Sequence, residues 1–222
     1  MLLDTRNNVP PPNQLTNTFI ALRPPWPIAE KFYSRATRLC SNSRIDGSRR
    51  PFFILHITML PIGGYLGRLP RTGLEEIDAA IGMVKFPAIE IVLDEAGSFE
   101  TRRNNVPFVL EGDELTDVHA LRLATRDALR IRGLNIPASR TYSPHMTLAY
   151  ARHRVPRLKV APFSWKAREF QLIESWVGQT KYVELARWTL RDDEPSHPQT
   201  SLRCRLDGEG ADMNSTEPMP PT

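Results

Sequence analysis

Short apolar runs alternate along this chain with stretches whose apolar residues recur every three or four positions, which predicts strands interleaved with helices. Phe19-Ile20-Ala21-Leu22 reads as the first strand. After Arg23-Pro24-Pro25, Pro27 suits the first turn of a helix, and Ile28, Phe32, Ala36 and Leu39 give it one apolar face through about Cys40. The polar residues 41–50 predict a loop and residues 51–60 a second strand. Gly63-Gly64-Tyr65-Leu66-Gly67 is too glycine-rich for a regular element and lacks the full spacing of a phosphate-cradling fingerprint, so it predicts a mobile rim. Thr72 with Glu75 three residues later is a capping box, opening a helix with Leu74, Ile77, Ile81 and Val84 inward. Residues 88–93 predict a strand and residues 98–103 the start of another. The series then restarts at Phe108-Val109-Leu110-Glu111, with Asp113 as an N-cap and a helix packing Val118, Leu121, Ala128 and Ile131. Gly133 ends that helix, and residues 141–150 predict the next strand. Residues 170–176 and 182–188 are the last strands, expected as antiparallel neighbours.

Strand–helix–strand thus occurs twice, and the spacing shows a duplication. His56-Ile57-Thr58-Met59-Leu60 and His145-Met146-Thr147-Leu148 each lie 37 residues after the phenylalanine of a preceding strand, Phe19 or Phe108, so one offset of 89 maps strand onto strand and motif onto motif. Two similar α+β lobes related by a pseudo-twofold axis would place the motif strands side by side. In a strand, side chains alternate faces, so each His and the Thr two residues on project from the same side. The groove between the lobes is then lined by His56, Thr58, His145 and Thr147, with Ile57, Met59, Met146 and Leu148 turned into the cores. Residues 1–16, containing Pro10-Pro11-Pro12, read as a flexible lead-in, residues 17–191 as the folded body, and residues 192–222 as a disordered acidic tail.

Composition changes this picture little. At 222 residues and 41% hydrophobic the chain can build a core without disulfide or metal staples. Cys40 and Cys204 read as unpaired cytosolic thiols, residues 1–6 lack the apolar segment of a secretory signal, and runs such as Phe52-Phe53-Ile54-Leu55 are too short to cross a bilayer. A cytoplasmic protein with no membrane partner is the expectation. Charge is uneven: residues 17–191 carry 26 Lys and Arg against 17 Asp and Glu, whereas residues 192–222 carry 2 against 7. Arginines outnumber lysines 24 to 5, and arginine is the better bidentate ligand for phosphate. A basic body suits a polyanion such as RNA, but genomic base composition explains the arginine count equally well.

Two histidines facing each other across a groove suit in-line displacement at phosphorus. One, neutral, takes a proton from the nucleophile; the other, protonated, gives one to the leaving oxygen. The threonine hydroxyls can donate to the non-bridging oxygens. His119 on a helix, His153 among arginines after a strand and His197 in the tail carry no such pattern. No Asp or Glu lies within five residues of His56 or His145, which argues against a metal centre, and no cofactor or metal is expected. Neither Cys40 nor Ser143 sits in a glycine elbow.

These residues carry a family likeness. Thr18-Phe19-Ile20-Ala21-Leu22-Arg23-Pro24, His56-Ile57-Thr58-Met59-Leu60 and Ser143-Pro144-His145-Met146-Thr147-Leu148-Ala149 resemble the two-histidine phosphoesterases, specifically the bacterial RNA 2′,3′-cyclic phosphodiesterases, also called 2′-5′ RNA ligases. The resemblance spans residues 18–190. It implies a bilobal duplicated α+β fold, with antiparallel sheets flanking a central groove and helices outside. It also implies metal-independent hydrolysis of a nucleoside or RNA 2′,3′-cyclic phosphate to a 2′-phosphate, and sometimes reversible 2′-5′ joining of RNA ends. A monomer is the expectation. By resemblance His145 is the base and His56 the acid, although pseudo-symmetry lets a substrate bound in the opposite sense reverse them. Phe19 and Tyr150 are candidate substrate contacts; many bacterial members carry Arg where this chain has Tyr150, and Phe-Leu-Gly where it has Pro61-Ile62-Gly63. Two other readings stay open: a phosphodiesterase for another small cyclic or linear nucleotide ester, and an RNA-binding protein without turnover.

Overall fold

The apolar runs become strands β1 (Leu15–Leu22), β2 (Ile57–Leu66), β3 (Ile89–Ser98), β4 (Val106–Glu111), β5 (Met146–Ala151), β6 (Leu158–Ala167), β7 (Glu169–Trp176) and β8 (Lys181–Thr189). Between them run helices α1 (Trp26–Asn42), α2 (Arg71–Ile81) and α3 (Thr116–Ile131), with a 3₁₀ turn at Phe52–Ile54. This computed structural model describes residues 1–5, 8–99, 105–113, 115–136 and 141–193. The expected tail beyond residue 193, with His197 and Cys204, lies outside them, as does most of the strand expected from residue 98 onward.

The strands form one antiparallel sheet in the order β6-β3-β4-β5-β2-β1-β7-β8. Its two halves meet through a single residue pair, Ile57 with Met146. About that joint the order is a palindrome: β2 answers β5, β1 answers β4, β7 answers β3 and β8 answers β6. The fold is α+β and bilobal, but the lobes are not contiguous in sequence, because β3 joins the second lobe and β7 and β8 return to the first. The helices are exchanged as well. Phe32 of α1 packs its ring at 5.1 Å from Phe163 and 5.8 Å from Trp165, both on β6 of the second lobe. On α3, Arg122 donates Nε–H to the carbonyl of Met59 on β2 of the first lobe, at 3.0 Å. All three helices share one apolar core with one face of the sheet, whereas Phe19, Ala21 and Ile173 cluster with Tyr182 on the opposite face, which is the groove.

Several local expectations change. Gly63 and Gly64 lie within β2, paired with Thr18 and Asn17, because ladder bonds to β1 outweigh the weak strand preference of glycine. The capping box does not form: Pro70 is the cap of α2, so Thr72 falls inside the helix, and Glu75 pairs with Arg71 at 2.8 Å. Val84 falls after the end of α2. Asp113 caps nothing and instead binds Lys159 at 2.9 Å. Leu129 rather than Ile131 faces the core, Ile131 being 80% exposed. Gly133 does end α3: at φ +79° it lets Leu134 and its own N–H close on the Leu129 and Arg130 carbonyls, a Schellman end. β6 was not foreseen, since Pro162 disfavours a central strand, but β6 is an edge where proline is tolerated.

The lead-in is not loose where it is described. Leu2 bridges to Ala186 on the outer edge of β8, Leu3 donates to the Leu185 carbonyl, and the Met1 amino group reaches Asp78 at 2.7 Å. At the other end of the body, Asp192 pairs with Lys166 and Arg168.

Candidate active site

Each motif histidine sits one residue ahead of its strand, not within it. The chain before each strand turns so that the carbonyl two residues back faces the ring: the Nδ1–H of His56 donates to Ile54 at 2.8 Å and that of His145 to Ser143 at 2.8 Å. A carbonyl can only accept, so both rings carry the proton on Nδ1 when neutral and present Nε2 as the reactive atom. His56 Nε2 lies 3.0 Å from the hydroxyl of Thr58, so the expected His–Thr pairing on one side is present there. Ile57, Met59, Met146 and Leu148 are buried beneath. The antiparallel Ile57–Met146 pair puts His56 and His145 on either side of the joint, close enough for the charge of His145 to be felt at His56.

Both motif strands then bulge at the same place. Between Ile20 and Ala21 on β1, β2 passes over Met59; between Phe108 and Val109 on β4, β5 passes over Leu148. This register corrects the duplication inferred from phenylalanine spacing. Thr58 pairs with Ala21 and Thr147 with Val109, so the first strands are related by 88 residues while the motifs are related by 89. One residue of slip reverses the faces. Phe19 lies on the groove face and Phe108 in the core, with no common role.

The groove wall around His56 is aromatic and basic. Phe19 stacks on its imidazole at 5.0 Å with 27° between planes, and Tyr182 of β8 meets it edge-on at 5.4 Å. Arg50 donates from Nη2 to the Tyr182 hydroxyl at 3.0 Å and lies 5.9 Å from the centre of the Tyr150 ring. Among the described residues Arg50 pairs with no carboxylate. Burial holds the pKa of His56 down at about 4, the Ile54 carbonyl opposing, and the positive charges of Arg50 and Arg23 and the nearby His145 depress it further. At neutral pH His56 is therefore uncharged. On the other side Phe99 meets His145 edge-on at 4.6 Å.

A sequence model described as the 2′-5′ RNA ligase superfamily matches residues 24–179, more than half the chain and both motifs. The chain belongs to the 2′-5′ RNA ligase superfamily. No curated protein matches it. Among solved structures, Escherichia coli LigT with 3′-AMP is 22% identical at TM-score 0.64, covering 80% of this chain and 99% of LigT. The Thermus thermophilus protein TT0787 is 20% identical at TM-score 0.63, covering 80% and 99%. A protein described as a phosphoesterase is 22% identical at TM-score 0.59, covering 79% and 99%. At these identities the structures support the shared fold, and membership of the superfamily supports a phosphodiesterase- or RNA-ligase-type activity.

In this superfamily member the two bulges free the carbonyls of Met59 and Leu148 from the ladder, and each must find a donor. Met59 receives Arg122 Nε–H, with the guanidinium 4.3 Å over the Tyr142 ring, while Tyr142 donates its hydroxyl to the Thr58 carbonyl at 3.0 Å. Leu148 receives the backbone N–H of Arg50 at 2.7 Å, as residues 48–50 lie along β5. That close approach requires glycine before it: a Cβ on Gly47 would stand 1.5 Å from the Tyr150 carbonyl oxygen. Behind His145, Ser143 donates its hydroxyl to Glu111 at 2.8 Å, and Glu111 pairs with Arg157 at 2.8 Å.

Phe19 and Tyr150, expected as substrate contacts, both border the groove, Phe19 through His56 and Tyr150 through Arg50. His119 stays exposed, its ring edge against Tyr142. Among the described residues no group of three His, Cys, Asp or Glu side chains could hold a metal ion, and no helix is long and apolar enough to cross a membrane. Sequence reasoning missed Arg50, Tyr182, Arg122 and the Ser143–Glu111 pair. The dibasic Arg49-Arg50 ahead of the motif strand was the one visible hint; the others come from elements distant in the chain.

Proposed function

We propose that the protein is a metal-independent phosphodiesterase that opens RNA or nucleotide 2′,3′-cyclic phosphates to 2′-phosphates. The observation that carries this reading is the pair of imidazoles on either side of one joint, each with Nδ1 locked by a carbonyl two residues back, which leaves Nε2 as the nitrogen that can exchange a proton. A cyclic phosphate between them is held by Thr58, Thr147 and the guanidinium of Arg50, which no carboxylate among the described residues neutralises. Water attacks phosphorus, its proton passing to one Nε2; the bond from phosphorus to O3′ breaks, and the other Nε2–H protonates O3′. Exchange with solvent restores both rings. The resemblance makes His145 the acceptor. The surroundings of His56 favour the reverse, because the buried ring is already neutral, and His56 is assigned here as acceptor and His145 as donor.

The superfamily description and the fold shared with a LigT crystallised with 3′-AMP support a nucleotide ester as substrate. An RNA 5′-hydroxyl in place of water would form a 2′-5′ bond by the same steps. The test is turnover of a 2′,3′-cyclic mononucleotide in excess chelator. Formation of the 2′-phosphate is expected. Loss of turnover in chelator with recovery on adding zinc or manganese would overturn the metal-free mechanism, and no turnover under any condition would leave the protein a nucleotide binder.

A further inference from the structure

Arg23 follows Phe19 and Ala21 on the groove face and marks one end of the groove floor. Its guanidinium reaches Gln171 on β7 and the carbonyl of Phe53, tying the 3₁₀ turn to that end. Beyond it lies a group of rings that the chemistry at phosphorus leaves unused. Trp26 meets Phe52 edge-on at 4.7 Å, Phe53 meets Phe52 at 5.6 Å, and Tyr33 backs Phe52 at 6.2 Å. Trp26 is 58% exposed and Phe53 39% exposed, although large aromatic side chains gain most from burial. The Trp26 ring is nevertheless fixed, its Nε1–H donating to Glu30 at 3.1 Å. Phe53 is only three residues from His56, at most about 11 Å of extended chain.

We propose that Trp26 and Phe53 form a stacking subsite for the nucleotide next to the cyclic end, so that the substrate is single-stranded RNA rather than a mononucleotide. Fixed, exposed ring surfaces accept an unstacked base of any sequence, and a paired base could not reach them. Arg23, bound to the Phe53 carbonyl, and Arg50 are both near enough to depress the His56 ring, and so put positive charge where a connecting phosphate would pass. The subsite rests on the phosphodiesterase reading, and its test separates the two.

Values of kcat/KM are compared for a 2′,3′-cyclic mononucleotide and a trinucleotide with the same end, in wild type, Trp26→Ala and Phe53→Ala, with Trp26→Phe and Phe53→Tyr as variants that keep a ring. Wild type should prefer the trinucleotide by roughly 5- to 150-fold, the worth of one stacked base. Each alanine variant should lose most of that ratio through KM, and the ring-keeping variants should retain it. Equal use of both substrates by wild type, an unchanged ratio in the alanine variants, or a wild-type dimer that Trp26→Ala converts to monomer would each overturn the subsite. If wild type turns over neither substrate, the phosphodiesterase reading fails. The subsite is then decided by quenching of tryptophan fluorescence with a single-stranded trinucleotide 3′-phosphate, a quench that Trp26→Phe should abolish and whose absence in wild type would overturn it.

Discussion

His56 and His145 are copies of one device in different company. Each donates Nδ1–H two residues back, each is followed by a threonine, and each motif strand bulges at the next residue. Around His56 stand Phe19, Tyr182, Arg50 and Arg23, which desolvate the ring and surround it with positive charge. Behind His145 stand Ser143 and Glu111, a polar chain acting through the carbonyl that orients it, with Phe99 on its edge. Duplication supplied two imidazoles held in the same way. Divergence of the neighbours made them inequivalent, which suits the proposed pairing of an acid with a base.

The largest expected effect removes either ring. His56→Ala and His145→Ala should each lower kcat by roughly two to four orders of magnitude. With an activated aryl diester, whose leaving group needs no proton, the His145→Ala defect should shrink while that of His56→Ala persists; the opposite pattern would exchange the roles. The pH profile checks the same assignment. An acceptor at about 4 makes kcat/KM rise with pH through that region, before deprotonation of the donor lowers it at higher pH, whereas a donor at about 4 makes it fall there.

Next in size is the cation that distinguishes the first half. Arg50→Met should raise KM for a cyclic phosphate by roughly 10- to 150-fold, the worth of a hydrogen bond to a charged group. Losing that positive charge should also move the His56 limb of kcat/KM to higher pH. A KM within twofold of wild type would remove Arg50 from the site. Smaller effects should separate the halves. Ser143→Ala should lower kcat by roughly 2- to 10-fold and leave the His56 limb in place, since it loosens only the support of His145. Tyr142→Phe should lower kcat by a similar factor through Thr58, whose carbonyl it holds. A Ser143→Ala change that moves the His56 limb would show the two supports to be coupled.

A separate effect is on stability. His56 is depressed to about 4 in the fold, against about 6.5 for a free imidazole. Above pH 6.5 the ring is neutral in both states and contributes no pH dependence. As pH falls from about 6.5 to about 4 the unfolded chain takes up the proton first, so stability declines over that window. His56→Gln should flatten the fall in melting temperature between those limits, and an unchanged slope would place the acid sensitivity elsewhere.

The sequence by itself determined what depends on neighbours along the chain: the strand and helix periodicities, the two His-x-Thr motifs, the duplication and the apolar residues beneath them. These were legible because alternation and helical spacing are local properties. It failed where a long-range ladder decides the outcome. Gly63 and Gly64 became strand because β1 supplies partners, and Phe108 proved no counterpart of Phe19 because the bulged register shifts the first strands by one residue against the motifs. The tertiary structure alone decided the chemistry around the rings. Arg50 arrives from a loop laid along β5, Tyr182 from β8 and Arg122 from a helix exchanged between lobes. Desolvation and charge act through space, so the difference between His56 and His145 arises only once strands far apart in sequence are brought to one sheet.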